Sequence, residues 1–147
     1  MIDQLSWKNF YEQSKREKGN PKKVKPFNRL IAHTENFFLI AGYGAFTKGY
    51  SIIITKEFIS SYGLIKDNQI EEVRFLINLA KEINLKKYNR PSVIFEHGMC
   101  ACLGGLDRAH LHVMSIDKST TQSDLIYSID KTLKNRNSGI KYIKFKN

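Results

Sequence analysis

The feature that most restricts how this chain can fold is an alternation. Residues 108–114 read Arg-Ala-His-Leu-His-Val-Met. Successive side chains of a strand point to opposite faces. The spacing therefore predicts Arg108, His110, His112 and Met114 on one face of a strand and Ala109, Leu111 and Val113 on the other. The second set is small or apolar and can lie against a core. The first places two imidazoles and a guanidinium side by side, just after the pair Gly104 and Gly105. Two readings fit this spacing: the floor of a phosphate site, or a half-buried strand whose histidines sit at the surface.

The rest of the chain supplies a sheet for such a strand. Apolar and β-branched runs predict strands at 27–32, 37–41, 50–55, 92–97 and 109–115. His33 and the three residues after it can turn the chain, so that the first two strands form a hairpin, with His33 a surface turn residue. The glycines of 42–49 allow a wide turn or a close backbone approach to a ligand. From Lys66 and Asp67 to about Lys87, Ile70, Val73, Ile77 and Ala80 form an apolar stripe flanked by Leu76 and Ile83. Phe75 and Leu79 widen it enough to meet a second subunit, and the stretch from Tyr88 to Pro91 stops the helix. A helix at about 6–18 precedes the sheet, followed by the basic linker GNPKKVKP. Ser123 or Asp124 can cap a helix to about Lys134, with Leu125, Ile126, Ile129 and Leu133 apolar. Residues 140–145 read as a last strand or as a lid near the site.

At 147 residues, one α+β domain is expected: a mostly antiparallel sheet of about five strands, one long helix packed on it and peripheral terminal helices. No apolar run reaches the length of a membrane span, and the start MIDQLSWKNF carries no signal-peptide pattern, so the expectation is a soluble cytoplasmic protein without a membrane partner. The net charge of +10, from 24 Lys and Arg against 14 Asp and Glu, suits phosphates and polyanions. It is spread along the chain, which favours a solvated surface over a nucleic-acid patch. Cys100 and Cys102 are one residue apart, a poor spacing for a strand disulfide, and read as thiols that pack. With His97, His110 and His112 they leave zinc open as an alternative, but Cys-x-Cys and His-x-His are not the spacings of zinc ribbons, and no metal or other cofactor is the expectation.

Segment 108–114 resembles the signature of the histidine-triad (HIT) nucleotide-binding superfamily, His-x-His-x-His-x-x with apolar x. In register, Arg108 takes the first His position, His110 the middle and His112 the third, with Val113 and Met114 as the trailing apolar pair. Upstream, residues 95–98 read FEHG and resemble an element of one HIT-like branch, where it precedes a loop and a run similar to Asp-His-Ala-His-Leu-His; residues 107–112 read Asp-Arg-Ala-His-Leu-His. Residues 49–56, GYSIIITK, are similar to the superfamily strand Gly-His-x-Leu-Ile-x-Pro-Lys, with Tyr50 at its His and Thr55 at its Pro. Phe58 lies where related chains often carry another His, and 33–37 resembles their Glu-Thr-x-Asn-Phe with His33 in place of the acid.

The resemblance implies an activity and a set of roles. The middle His of such a site attacks the α-phosphate of a nucleotide ester, anhydride or phosphoramidate and is transiently nucleotidylated; here that is His110, with His112 contacting the phosphate or the leaving group. The chemistry is sound for an imidazole whose other nitrogen donates to a fixed acceptor, since the attacking nitrogen then keeps its lone pair. Gly104 and Gly105 form an anion nest or an ordinary tight loop. Arg108 pairs with phosphate oxygens as a forked donor or faces solvent. His97 binds substrate or bonds within its loop, and Tyr50 stands in the substrate site. The expected partner is a nucleotide or nucleotidylated small molecule, and related proteins are commonly homodimers. The departures are Arg108 for the first His, Gly105 where a Ser is frequent, Tyr50 for the strand His, and no acid near Gly42 for the ribose. They keep two other functions open: a nucleotide-binding sensor with impaired turnover, and a nucleic-acid end-processing enzyme.

Overall fold

The computed structural model describes residues 29–42, 47–96 and 108–135, the last with side chains to 132. The helix expected at 6–18, the basic linker, His97, Cys100, Cys102, Gly104, Gly105 and the strand expected at 140–145 lie outside the described residues. The chain divides after Ile116 into two units. The first carries strands β1 (Leu30–His33), β2 (Phe37–Ala41) and β3 (Ser51–Thr55), helix α1 (Ile70–Tyr88), and strands β4 (Ser92–Phe95) and β5 (His110–Ser115). The second carries helix α2 (Gln122–Asn135).

All pairings are antiparallel, and the sheet order is β1-β2-β3-β5-β4. The last strand of the sheet in sequence is thus inserted between β3 and β4. Since both of these run antiparallel to β5, they are parallel to each other, and α1 joins them as a crossover that leaves room for one strand. The expected hairpin of β1 and β2 forms, with Thr34 N–H donating to the Phe37 carbonyl at 3.0 Å. Several limits differ from the sequence expectation. His33 ends β1 instead of lying in the turn, β3 begins after Tyr50, β4 ends at Phe95, and β5 begins at His110, one residue later than expected.

The alternation divides the sheet into two apolar faces. Phe37, Leu39, Ile53 and Val113 cluster with Val73, Leu76 and Ala80 of α1, with Leu111 and Ile94 beside them. Phe38, Ile40, Ile52, Ile54 and Tyr50 form the other cluster, with Met114 against it. Burying each large aliphatic or aromatic side chain contributes about 1.5–3 kcal/mol. The buried stripe of α1 runs through Val73, Leu76, Ala80 and Asn84, spaced by three and four, while Phe75 stays exposed. Glu71 and Glu72 in the first turn and Lys86 and Lys87 in the last complement the helix dipole. Asn89 ends the helix in the left-handed region at φ 55°, where its N–H reaches the Leu85 carbonyl and that of Arg90 the Asn84 carbonyl; Pro91 follows. Among the described residues no helix is long and apolar enough to cross a membrane.

In the second unit, Thr121 caps α2, not Ser123 or Asp124. Thr121 Oγ1 accepts from the Asp124 N–H at 3.2 Å, while Asp124 Oδ2 accepts from the Thr121 N–H at 2.8 Å. This is a reciprocal capping box, with Asp124 the inner partner of the cap. Leu125 and Ile126 are half-buried, and Ile129, expected on the apolar face, is exposed.

Two polar clamps hold the loops around the first unit. Glu72 at the start of α1 accepts from the Asn36 backbone N–H at 2.9 Å and from its Nδ2 at 2.5 Å, tying the β1–β2 turn to the helix. Burial pushes the Glu72 carboxyl up. The hydrogen bonds from Thr34 and Asn36, with the Lys56 charge nearby, outweigh it and hold the group below its ordinary range. Glu96 accepts from the Tyr62 N–H at 2.9 Å and from Ser61 Oγ at 3.2 Å, and Tyr62 donates onward to the Ile53 carbonyl at 2.9 Å. Burial foremost, with the Glu96 charge adding to it, pushes the Tyr62 phenol far above its ordinary value, so its hydroxyl keeps the proton it donates.

Two outcomes follow. Gly49 has φ +72°, and a Cβ there would sit 1.8 Å from Asn84 Oδ1 and 2.8 Å from Tyr88 Cε2. Gly49→Ala lowers stability by more than about 1 kcal/mol in denaturant melts. Because the Glu72 pKa is depressed by folding, its contribution is complete above the ordinary carboxylate range and is lost as pH falls through the folded value. Amide exchange protection at Asn36 therefore drops on acidification, and Glu72→Gln lowers it at neutral pH.

Candidate functional site

The two histidines of the signature lie on the strand that the topology puts inside the sheet. On β5, His110 pairs with Ile54 of β3, and His112 pairs with Ile52 on one side and Phe95 of β4 on the other. Leu111 and Val113 belong to the cluster on α1, while Met114 packs on the opposite cluster. The strand alternation thus gives His110 and His112 the face away from α1. Their rings meet edge to face, with centroids 4.8 Å apart and planes at 65°. Both are nearly buried, His110 at 6% exposure and His112 at 9%.

Each ring is held by a different partner. His110 Nδ1 lies 2.7 Å from the Arg108 carbonyl oxygen. A carbonyl can only accept, so Nδ1 carries the proton and, in the neutral ring, Nε2 carries the lone pair. His112 Nδ1 lies 2.6 Å from the Tyr50 hydroxyl, and the two ring planes are parallel within 1°. Phe95 stacks on His112 from the neighbouring strand, with centroids 4.9 Å apart and planes at 13°. His112 is thereby fixed both in its plane and across it.

Of the two readings of Arg108, the structure contradicts the solvent-facing one. The residue precedes β5, so strand alternation does not govern it, and it is buried at 5% exposure instead of facing solvent. Its Nη1 donates to the Lys56 carbonyl at 2.7 Å, and its guanidinium carbon lies 5.8 Å from the centre of the Phe58 ring. The same segment is pinned through its backbone. The Ala109 N–H donates to the Ile59 carbonyl at 2.6 Å, and the Thr55 N–H to the Ala109 carbonyl at 3.3 Å. The chain leaving β3 therefore grips the chain entering β5 just where the Arg108 carbonyl is presented to His110.

Tyr50, expected on the central strand, stands just before β3 and reaches the site through its hydroxyl. Its ring lies directly on Gly42, where a Cβ would come within 2.2 Å of two ring carbons. The closeness allowed by Gly42 is thus used by a side chain of the protein. Burial raises the Tyr50 phenol above its ordinary value, against the pull of the Arg29 charge. Glu96 turns to the Ser61 and Tyr62 clamp. His33, with its Nδ1 3.3 Å from the Thr34 carbonyl, belongs to the β1 end of the sheet. His97, Gly104 and Gly105 lie outside the described residues, as do both cysteines. Among the described residues no group of three His, Cys, Asp or Glu side chains is placed to hold a metal ion.

Sequence reasoning assigned no role to Phe95, Gly42 or Phe58 themselves, although all three fall in segments that the resemblance marks. Phe95 was legible in principle as the first letter of FEHG, but its contact with His112 needs the β4–β5 register. Phe58 is marked in the sequence only as standing where related chains often carry another His, and Gly42 only as part of a glycine loop; their contacts with Arg108 and Tyr50 need the folded chain.

No family model and no curated protein matches the sequence. Solved structures do match the fold. The NitFhit protein of C. elegans superposes with a TM-score of 0.57 at 12% identity, over 77% of this chain; the chain spans only 28% of that protein's length. The diadenosine triphosphate hydrolase of Plasmodium falciparum, solved with cyclomarin A, gives 0.56 at 14% identity, over 92% of this chain and 99% of that one. A HIT family protein of Bacillus anthracis gives 0.55 at 9% identity, over 88% and 96%. With the five antiparallel strands, the long crossover helix and the paired histidines on the inserted strand seen among the described residues, this chain has the fold of the HIT family.

Proposed function

We propose that the chain is a nucleotide hydrolase or nucleotidyltransferase that works through a covalent nucleotidyl-histidine at His110. The observation that carries this reading is the 2.7 Å contact of His110 Nδ1 with the Arg108 carbonyl, which puts the ring proton on Nδ1 and the lone pair of the neutral ring on Nε2, the nitrogen that attacks. In the first step the Nε2 lone pair attacks the α-phosphorus of a nucleotide anhydride, ester or phosphoramidate. The nitrogen–phosphorus bond forms, the bond to the leaving group breaks, and the leaving group departs with that electron pair and takes up a proton. In the second step water, or another acceptor hydroxyl, attacks the phosphorus and loses its proton, and the nitrogen–phosphorus bond breaks with its electron pair returning to Nε2. Removal of one strong positioning group from such a sequence costs orders of magnitude in rate.

The Plasmodium neighbour is by its name a diadenosine triphosphate hydrolase, which supports dinucleoside polyphosphates as the first substrates to test. A second reading, nucleotide binding without turnover, is favoured by the burial of Arg108 and by the 6% exposure of His110. The two part on one measurement. Intact-protein mass spectrometry after brief exposure to diadenosine triphosphate and to adenosine phosphoramidates is expected to record one added adenylate. In His110→Asn the added mass disappears and turnover falls by roughly a thousandfold or more, with the circular dichroism spectrum unchanged. Calorimetric binding without any adduct would favour the second reading, and turnover retained in His110→Asn would remove His110 from the reaction.

A further inference from the structure

His112 is the less obvious of the two histidines, because the groups that hold it in its plane and across it, the Tyr50 hydroxyl and the Phe95 ring, belong to the protein. Its Nδ1 meets the Tyr50 hydroxyl at 2.6 Å. A hydrogen bond between a phenol and a neutral imidazole has a preferred sense. The phenol O–H is the more acidic donor, and the bare ring nitrogen is the more basic acceptor. Two observations favour that sense here. Burial holds the Tyr50 phenol above its ordinary value, so it keeps its proton. The Arg29 charge pulls the other way on the phenol, which strengthens its O–H as a donor without overcoming the effect of burial. Arg29 is itself anchored, its Nε donating to the Ala41 carbonyl at 2.9 Å.

We propose that His110 and His112 are held in opposite tautomers, and that Tyr50 is the positioning residue that sets the second. His110 carries its proton on Nδ1, toward the Arg108 carbonyl, and has its lone pair on Nε2. His112 accepts from Tyr50 at Nδ1 and carries its proton on Nε2. One ring is thereby a nucleophile and the other a neutral N–H donor, 4.8 Å apart on one face of one strand. Resting on the reading of His110 as the attacking group, this assigns to His112 Nε2–H a hydrogen bond to the phosphoryl oxygens or to the departing atom. It also changes the role of Tyr50, which supports the donor without binding substrate. Gly42 is part of the device, because only a residue without a Cβ leaves the Tyr50 ring its place.

The test is side-chain nitrogen NMR of the full chain labelled with ¹⁵N-histidine, at mildly alkaline pH and without nucleotide. His110→Asn and His112→Asn assign the signals. In the native chain His112 is expected to show a protonated Nε2 and a hydrogen-bonded, unprotonated Nδ1, and His110 the reverse. In Tyr50→Phe the Nδ1 signal of His112 moves toward that of a nitrogen without a donor, or the ring becomes a mixture of tautomers, while His110 is unchanged. Gly42→Ala, which keeps the phenol but displaces it, produces the same shift. A native His112 protonated on Nδ1, or an Nδ1 signal that ignores both substitutions, overturns the proposal. The native spectrum decides the tautomers by itself, so a variant that fails to fold does not remove the test. It also stands apart from the adenylation experiment. Retained turnover in His110→Asn would refute the nucleophile and leave the tautomers standing. If both readings hold, Tyr50→Phe lowers kcat with little change in KM, as expected for a donor that acts in the transition state.

Discussion

The hydrogen bond from His110 Nδ1 to the Arg108 carbonyl depends on where β5 begins. Had the strand started at residue 108, that carbonyl would be drawn into the sheet ladder or turned along it. The chain leaving β3 prevents this, since the Lys56 and Ile59 carbonyls take the Arg108 side chain and the Ala109 N–H before pairing begins. The chemical state of one imidazole is thus fixed by a junction between two strands that lie more than fifty residues apart in sequence. The acceptor at His110 Nδ1 is a neutral carbonyl oxygen, which places the ring proton on that nitrogen.

The topology makes such a junction available. Because α1 spans from β3 to β4 and leaves a gap, β5 enters the sheet with a neighbour on both sides. Its main chain is then held by Ile54 and Ile52 of β3 and by Phe95 of β4, so the histidines sit on one of the best-supported strands of the unit. The price in the opposite direction is small, since the face toward α1 still buries Leu111 and Val113 with Leu76 and Ala80. The packing that stabilises the unit and the surface that holds the imidazoles are two faces of the same strand.

What could be read from the sequence follows the range of the interactions involved. The hairpin, the long helix with its stop at Asn89 and Pro91, and the two-sided character of β5 all come from periodicities of a few residues, and they appear in the structure. The cap of α2 was misplaced by two or three residues because Thr, Ser and Asp are all good caps, and the reciprocal bonding of Thr121 with Asp124 is a matter of geometry. The solvent-facing reading of Arg108 failed because alternation was extended two residues beyond the strand, to a side chain that the β3 exit buries. The Tyr50–His112 contact joins residues 62 apart, and no local pattern announces it. The same holds for Glu96, whose carboxylate serves a turn 34 residues upstream.

The substitution at residue 108 can be weighed in these terms. Measured against the resemblance, an Arg in the first position of the triad looks like a loss. Toward His110, however, that position acts through its carbonyl oxygen, which every residue type possesses. The side chain also secures the backbone, and a long guanidinium bonded to the Lys56 carbonyl and lying near the Phe58 ring is suited to that task. The Tyr50 position is different, since there the side chain itself makes the contact with His112. Exchange at residue 108 therefore bears on the contacts that place the start of β5, and exchange at residue 50 bears directly on the contact at His112 Nδ1.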